Sequence, residues 1–300
     1  MLPKSSRWRT FPWAPPFFPA ALGIGVISLL MGAFVPALRA QARSSQPDPP
    51  AVEAVKLMVQ HEISDHRKAQ PSHAFRFLSV ERSARTGGHL WTEEVVEVDG
   101  GLLRRLVAID GKPLSAVQQA EEDRRLQRLA EDPGAFAEAN QSREKDESRV
   151  TKVLERMPQE FLFQYDGEEN GCRRIAYRPN PGYQADSFED RVVHNMAGFV
   201  DIQEPSMRLC SVSGHLVKTV DFGWGLLGHV SQGSGFSLDR VQVEPSVWRS
   251  TVLKMDFDGA ILFFKSISRS QHTVRSDFQP IPVNLNLKQA VALSLPSAEP

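Results

Sequence analysis

Along residues 51–68, Val52, Val55, Val59 and Ile63 recur at helical spacing with Met58 beside them, which predicts an amphipathic helix ending before Pro71. The hydrophobic period then changes to two. Segments 74–82, 90–98 and 102–109 are rich in β-branched and aromatic residues, and Asp99-Gly100-Gly101 and Asp110-Gly111 supply turn chemistry, so an antiparallel meander is expected. Two registers are open for its hairpin between 90–98 and 102–109. A Gly100-Gly101 loop sets Glu97 opposite Arg104, whereas an Asp99-Gly100 loop sets Glu94 opposite Arg105.

Helical character returns over 115–157, where Ser115 and Gln118 match a capping box and Pro133-Gly134 separates two helices. Val150, Val153, Leu154 and Met157 share one face, but 143–149 is wholly polar, so only part of this hairpin can rest on a core. The insert reads as a solvated excursion or as an arm for a protein partner. Strands then resume at 161–165, 172–177, 196–202, 207–212, 216–222, 236–243, 247–257 and 260–268. The total is about eleven strands and three helices. Short turns such as Glu204-Pro205-Ser206 and Asp258-Gly259 join successive strands, which excludes parallel βαβ winding over most of the chain.

With Asp258-Gly259 as a two-residue loop, Phe257 faces Ala260, Met255 faces Leu262 and Leu253 faces Phe264, all on one side of the sheet. That face is entirely apolar. Its burial is worth on the order of 10 kcal/mol at about 1.5–3 kcal/mol per large side chain, so protein or an apolar ligand must cover it.

The composition is that of an ordinary globular chain, 41% hydrophobic and 24% charged, with a formal net charge of −1. The charge is unevenly placed. Residues 1–42 hold four bases (Lys4, Arg7, Arg9, Arg39) and no acid, leaving 31 bases against 36 acids in the remainder, which disfavours general nucleic-acid binding. An uncharged run from Ala20 to Val35 and the small-x-small pattern Ala40-Gln41-Ala42 predict a signal peptide cleaved after Ala42. The rival is a retained inner-membrane anchor, although the run is short for a span. Residues 43–50 read as a flexible lead-in, 51–287 as the folded domain and 288–300 as a C-terminal tail. The expected location is the periplasm. In that oxidising compartment the two cysteines, Cys172 and Cys210, form either a disulfide or two unpaired strand thiols.

Gly223-Trp224-Gly225-Leu226-Leu227-Gly228 matches a dinucleotide-binding string, but no helix pattern follows and the antiparallel setting lacks the βαβ unit. A pliable loop presenting Trp224 at a pocket rim fits better. His61 and His66 are five residues apart and point away from each other around a helix, so no metal site is expected there. Their helical partners are Asp65 and Glu62 respectively. Ser231 with His229 and Asp239 could form a hydrolytic triad only by accident of folding, and Gly233-Ser234-Gly235 is no nucleophile elbow. No cofactor, catalytic residue or nucleotide is expected.

Several segments resemble the LolA-like superfamily, the outer-membrane lipoprotein-sorting proteins, in an acidobacterial-type branch. They are Leu103-Arg104-Arg105-Leu106-Val107-Ala108-Ile109-Asp110-Gly111-Lys112-Pro113-Leu114, Tyr177-Arg178-Pro179-Asn180-Pro181-Gly182-Tyr183, Gly198-Phe199-Val200-Asp201-Ile202, Val220-Asp221-Phe222 running into the glycine string, and Gly233-Ser234-Gly235-Phe236. The resemblance extends over roughly 51–281. It implies an α+β fold in which a strongly curved antiparallel half-barrel carries helices over its concave apolar face. It also implies a lipid or an acylated lipoprotein as ligand. Phe222, Trp224, Leu253, Met255, Phe257, Leu262 and Phe264 are the expected pocket wall. The alternative is an envelope regulatory or scaffolding module that binds a protein through the insert 115–157. An ester hydrolase using Ser231 ranks last.

Overall fold

In the computed structural model, which describes residues 50–66, 73–99, 101–222, 228–261 and 269–295, the first element is helix α1 (Ala51–His66). Four strands follow: β1 (Ala74–Arg82), β2 (Trp91–Val98), β3 (Gly101–Ile109) and the two-residue β4 (Lys112–Pro113). Next come α2 (Ala116–Glu131) and α3 (Pro133–Glu160). Ser115 and Gln118 close the expected capping box on α2, and Pro133 opens α3 behind the Asp132 cap, where its missing N–H costs nothing. The chain continues through β5 (Phe161–Glu169), β6 (Cys172–Pro179), α4 (Phe188–His194), β7 (Met196–Gln203), β8 (Arg208–Leu216), β9 (Val220–Phe222) and β10 (Gly228–Val230). It ends with β11 (Gly235–Glu244), β12 (Val247–Phe257), β13 (Gly259–Ile261), β14 (Arg269–Ile281) and α5 (Leu287–Ser294).

Eleven strands form one open antiparallel sheet in the order β4-β3-β2-β1-β14-β12-β11-β8-β7-β6-β5, and β13-β10-β9 form a small second sheet. The α+β class and the antiparallel winding agree with the sequence pattern. The β2–β3 hairpin takes the Asp99-Gly100 register, with Glu94 opposite Arg105 and Glu97 opposite Leu102. That register puts Val96 and Leu103 together on one face and Val95 on the other. Cys172 and Cys210 are joined, a bridge from β6 to β8 across β7.

The last hairpin is a correction. β12 does not pair with the segment after Asp258; its two edges are taken by β11 and β14, so Phe257 lies opposite Arg269, Met255 opposite Gln271 and Leu253 opposite Thr273. At Asp258 the chain leaves the large sheet. Its N–H donates to Ser234 Oγ (3.0 Å) and its carbonyl accepts from the Ser231 N–H (2.8 Å), which lays β13 against β10. Gly259 serves this close passage, since a Cβ there would sit 2.4 Å from the His229 carbonyl oxygen. Positions 262–268, including Leu262 and Phe264, lie outside the described residues, as do Trp224, the glycine string up to Leu227 and the expected export segment.

Five described elements had no expectation behind them: β4, β10, β14, α4 and α5. β14 is central, between β1 and β12, although its sequence is mostly polar. The stretch 288–300 contains most of α5, whose Ala290 and Val291 are buried with Leu126 of α2, Phe136 of α3, Val96 and Leu103. The insert is therefore no excursion. Its apolar positions close one face of the β1–β3 end of the sheet, and Glu122 of α2 accepts from the Leu106 N–H (2.8 Å). The opposite face belongs to α1, whose Ala54, Val55, Met58 and Val59 join Met157 of α3 over Phe161, Ile175, Tyr177, Val200 and Leu216. Tyr177 fits there because β7 and β8 carry glycine beneath it. A Cβ on Gly214 would lie 2.2 Å from the Tyr177 hydroxyl, and one on Gly198 would lie 2.0 Å from the Ser213 carbonyl oxygen. Helices thus cover both faces of the sheet, each at its own end.

Candidate functional site

Cross-strand register identifies a continuous row on the α1 face. Val200, Val212, Leu238, Leu253, Thr273 and Glu81 are successive partners from β7 to β1. One step along, Gly214, Phe236, Met255 and Gln271 run parallel to it. Val200 is buried under α1 at one end of the row, and Thr273 and Glu81 are buried at the other, beyond β12. Leu238, Leu253 and Met255 are only half-buried, because α1 packs chiefly against α3, β5 and β8 and leaves β11 and β12 to one side. Phe236 and Phe257 are half-buried at the border of the α1 core. Beyond β14 a third apolar group, Phe75, Phe77, Val95 and Val247 with Phe278, closes the same face. The apolar strip on β11 and β12 therefore lies between two closed cores.

Buried charge flanks the strip at both ends. Toward α1, Glu62 is buried and accepts from Arg240 Nη1 (2.6 Å) on β11 and from the Leu209 N–H (3.3 Å), with Arg208 Nε at 3.5 Å. Arg208 also reaches Asp65 (2.5 Å). These contacts tie the C-terminal turns of α1 to the sheet with charge-assisted hydrogen bonds. Toward β2, Arg85 forks onto both oxygens of Glu93 (2.9 and 2.7 Å) and both of Glu81 (3.2 and 2.9 Å). Arg104 and Ser83 complete the cluster. Burial alone raises the Glu81 carboxyl, but the hydrogen bonds from Arg85 and Ser83 and the nearby guanidinium charges outweigh it and hold Glu81 below the usual carboxylate range. Ser79, between this cluster and Phe77, is fully buried and its hydroxyl has no hydrogen-bond partner.

Of the expected pocket wall, Leu253 and Met255 lie on the strip and Phe257 at its border. Phe222 sits on β9, 39% exposed, with its ring 5.1 Å from Phe188 of α4. Leu238 and Phe236 complete the strip and were not singled out from the sequence. Their signal was the 236–243 strand pattern, which becomes informative only once β11 is known to lie beside β12. Ser231 makes its side-chain contact to Asp258 (3.4 Å). The His61 ring nitrogen lies 3.1 Å from the Ser206 carbonyl oxygen, an anchor from α1 to the β7–β8 turn. Among the described residues no three His, Cys, Asp or Glu side chains are grouped as a metal site requires, and no helix is long and apolar enough to cross a membrane. Chemically, the arrangement offers a half-covered apolar surface between fixed ion clusters. No family model, curated protein or solved structure matches the chain.

Proposed function

We propose that the protein is an exported, non-enzymatic carrier that holds a lipid or an acylated ligand, such as a lipoprotein acyl chain, against the β11–β12 strip, as the LolA-like proteins it resembles do. The observation that carries this reading is the row Leu238, Leu253 and Met255. It is apolar, central in the sheet and half-buried, while the cores on either side of it are closed. Covering large apolar side chains contributes about 1.5–3 kcal/mol each, enough for a few of them to hold an acyl chain.

A curved sheet, as the half-barrel reading requires, is supported by the reach of α3. Asn140 accepts from the Leu102 N–H (2.9 Å) at the start of β3, and α3 runs on to Phe161 of β5. Those twenty-one residues span about 31 Å of helix. A flat sheet would set β3 and β5 nine spacings apart, about 43 Å. In the scaffolding alternative a partner would meet the charged positions of the insert, because its Leu126 and Phe136 cover the sheet.

The test is native mass spectrometry of the mature protein after gentle purification, together with titration by a fluorescent fatty acid. Co-purified lipid and saturable binding are expected, and both are weakened by Met255→Lys. Repeated recovery of empty protein that binds no fatty acid overturns the proposal.

A further inference from the structure

Glu160 is the last residue of α3 and the position before β5, and its side chain is wholly buried, with neither carboxylate oxygen hydrogen-bonded. Its neighbour Asp190 of α4 is buried too but fully served. Asp190 accepts from the Tyr183 hydroxyl (3.1 Å) and the Asp186 N–H (2.9 Å), and Arg156 of α3 reaches it at 3.1 Å. The titratable and charged groups facing Glu160 are Arg156 on α3, Tyr183 on the 180–187 loop, and Asp190 and His194 on α4. Two buried carboxylates thus share one guanidinium, and that guanidinium is turned to Asp190. A second negative charge there would have neither water nor a donor.

The geometry points to a pH-sensitive latch: we propose that the Glu160–Asp190 pair holds one proton that keeps α4 docked on the end of α3, and that losing it loosens α4 and the Phe188–Phe222 contact α4 carries. This inference stands apart from the carrier reading. Burial first, then the charge of Asp190, pushes the Glu160 carboxyl up to about 7, against the pull of Arg156. The sign follows from linkage. In the undocked form Glu160 ionises in the ordinary carboxylate range, so docking weakens as pH rises from that range to about 7 and is flat above it.

Carboxyl-carbon NMR and hydrogen exchange of α4, corrected for intrinsic rates, test the latch on the intact protein. Glu160 is expected to titrate near 7, and α4 protection to fall about tenfold between pH 6 and pH 8. Glu160→Gln is expected to abolish that fall. Asp190→Asn is expected to lower the Glu160 midpoint by removing the neighbouring charge and freeing Arg156. Imidazoles also change charge in this range, so His194→Gln is the control. The proposal is overturned if Glu160 in the wild-type protein titrates in the ordinary carboxylate range, a result independent of any variant's folding. Equal pH dependence in Glu160→Gln, or its loss only in His194→Gln, also overturns it.

Discussion

Replacing Glu62 by leucine removes the one carboxylate that Arg240 meets at 2.6 Å and that the Leu209 N–H also uses. Arg208 keeps Asp65, but the Arg240 side chain is only 12% exposed, so it cannot recover its lost partner from water. Breaking a buried pair by removing one member costs about 3–5 kcal/mol, mostly the desolvation of the charge left behind. For a domain of this size that corresponds to a fall in melting temperature on the order of 10 °C. Reversible denaturant unfolding followed by circular dichroism measures it, with an unchanged slope showing that only stability has moved. The companion Glu62→Leu/Arg240→Met should recover part of the loss, because it removes a buried charge as well as its partner. A single-variant loss within about 0.5 kcal/mol, the range of ordinary surface substitutions, refutes the reasoning that α1 is held by buried charge. If α1 limits entry to the strip, the same variant takes up fluorescent fatty acid faster than wild type.

Replacing Cys172 and Cys210 together by serine opens a loop of 38 residues and is expected to cost about 4 kcal/mol by chain entropy, read as a lower denaturation midpoint that reductant reproduces in wild type. Gly198→Ala drives a methyl into the Ser213 carbonyl and should cost about 3 kcal/mol, whereas Gly111→Ala, with nothing within 4 Å, carries only the strain of its positive φ of 76°. The Glu81 carboxyl is held below its usual range, so its contribution is present above the ordinary carboxylate value and lost as pH falls through the lowered one. Arg85→Met should flatten or reverse that slope, because the burial that raises the Glu81 carboxyl then loses its main opposition, and acid titrations of stability in the two proteins check it.

Most strands were legible because half-buried antiparallel strands alternate cleanly, and β1 matches its expected span residue for residue. β14 was not, for a physical reason. One of its faces meets the polar row of Thr273, Arg275, Ser79 and Glu81, and Val274 on the other face is 37% exposed, so its central place leaves no hydrophobic alternation. The expected hairpin at Asp258-Gly259 failed because a glycine needed for close approach to β10 has the same local signature as one needed for a tight turn. The site followed the same division. Leu253 and Met255 share a face by the two-residue period alone, but their neighbours Leu238 and Thr273 come from strand order, which local pattern does not encode. The buried acids Glu62, Glu93 and Glu160 look like surface charges in sequence. What buries them is long-range pairing, visible only after folding.

Photo-crosslinking with a diazirine-bearing fatty acid, mapped by peptide mass spectrometry, asks most directly where an acyl chain lies. The account predicts labels concentrated on Phe236–Leu238 and Leu253–Phe257, competed away by unlabelled fatty acid. Labels scattered over the exposed surface, or none above the background left by excess unlabelled fatty acid, contradict it.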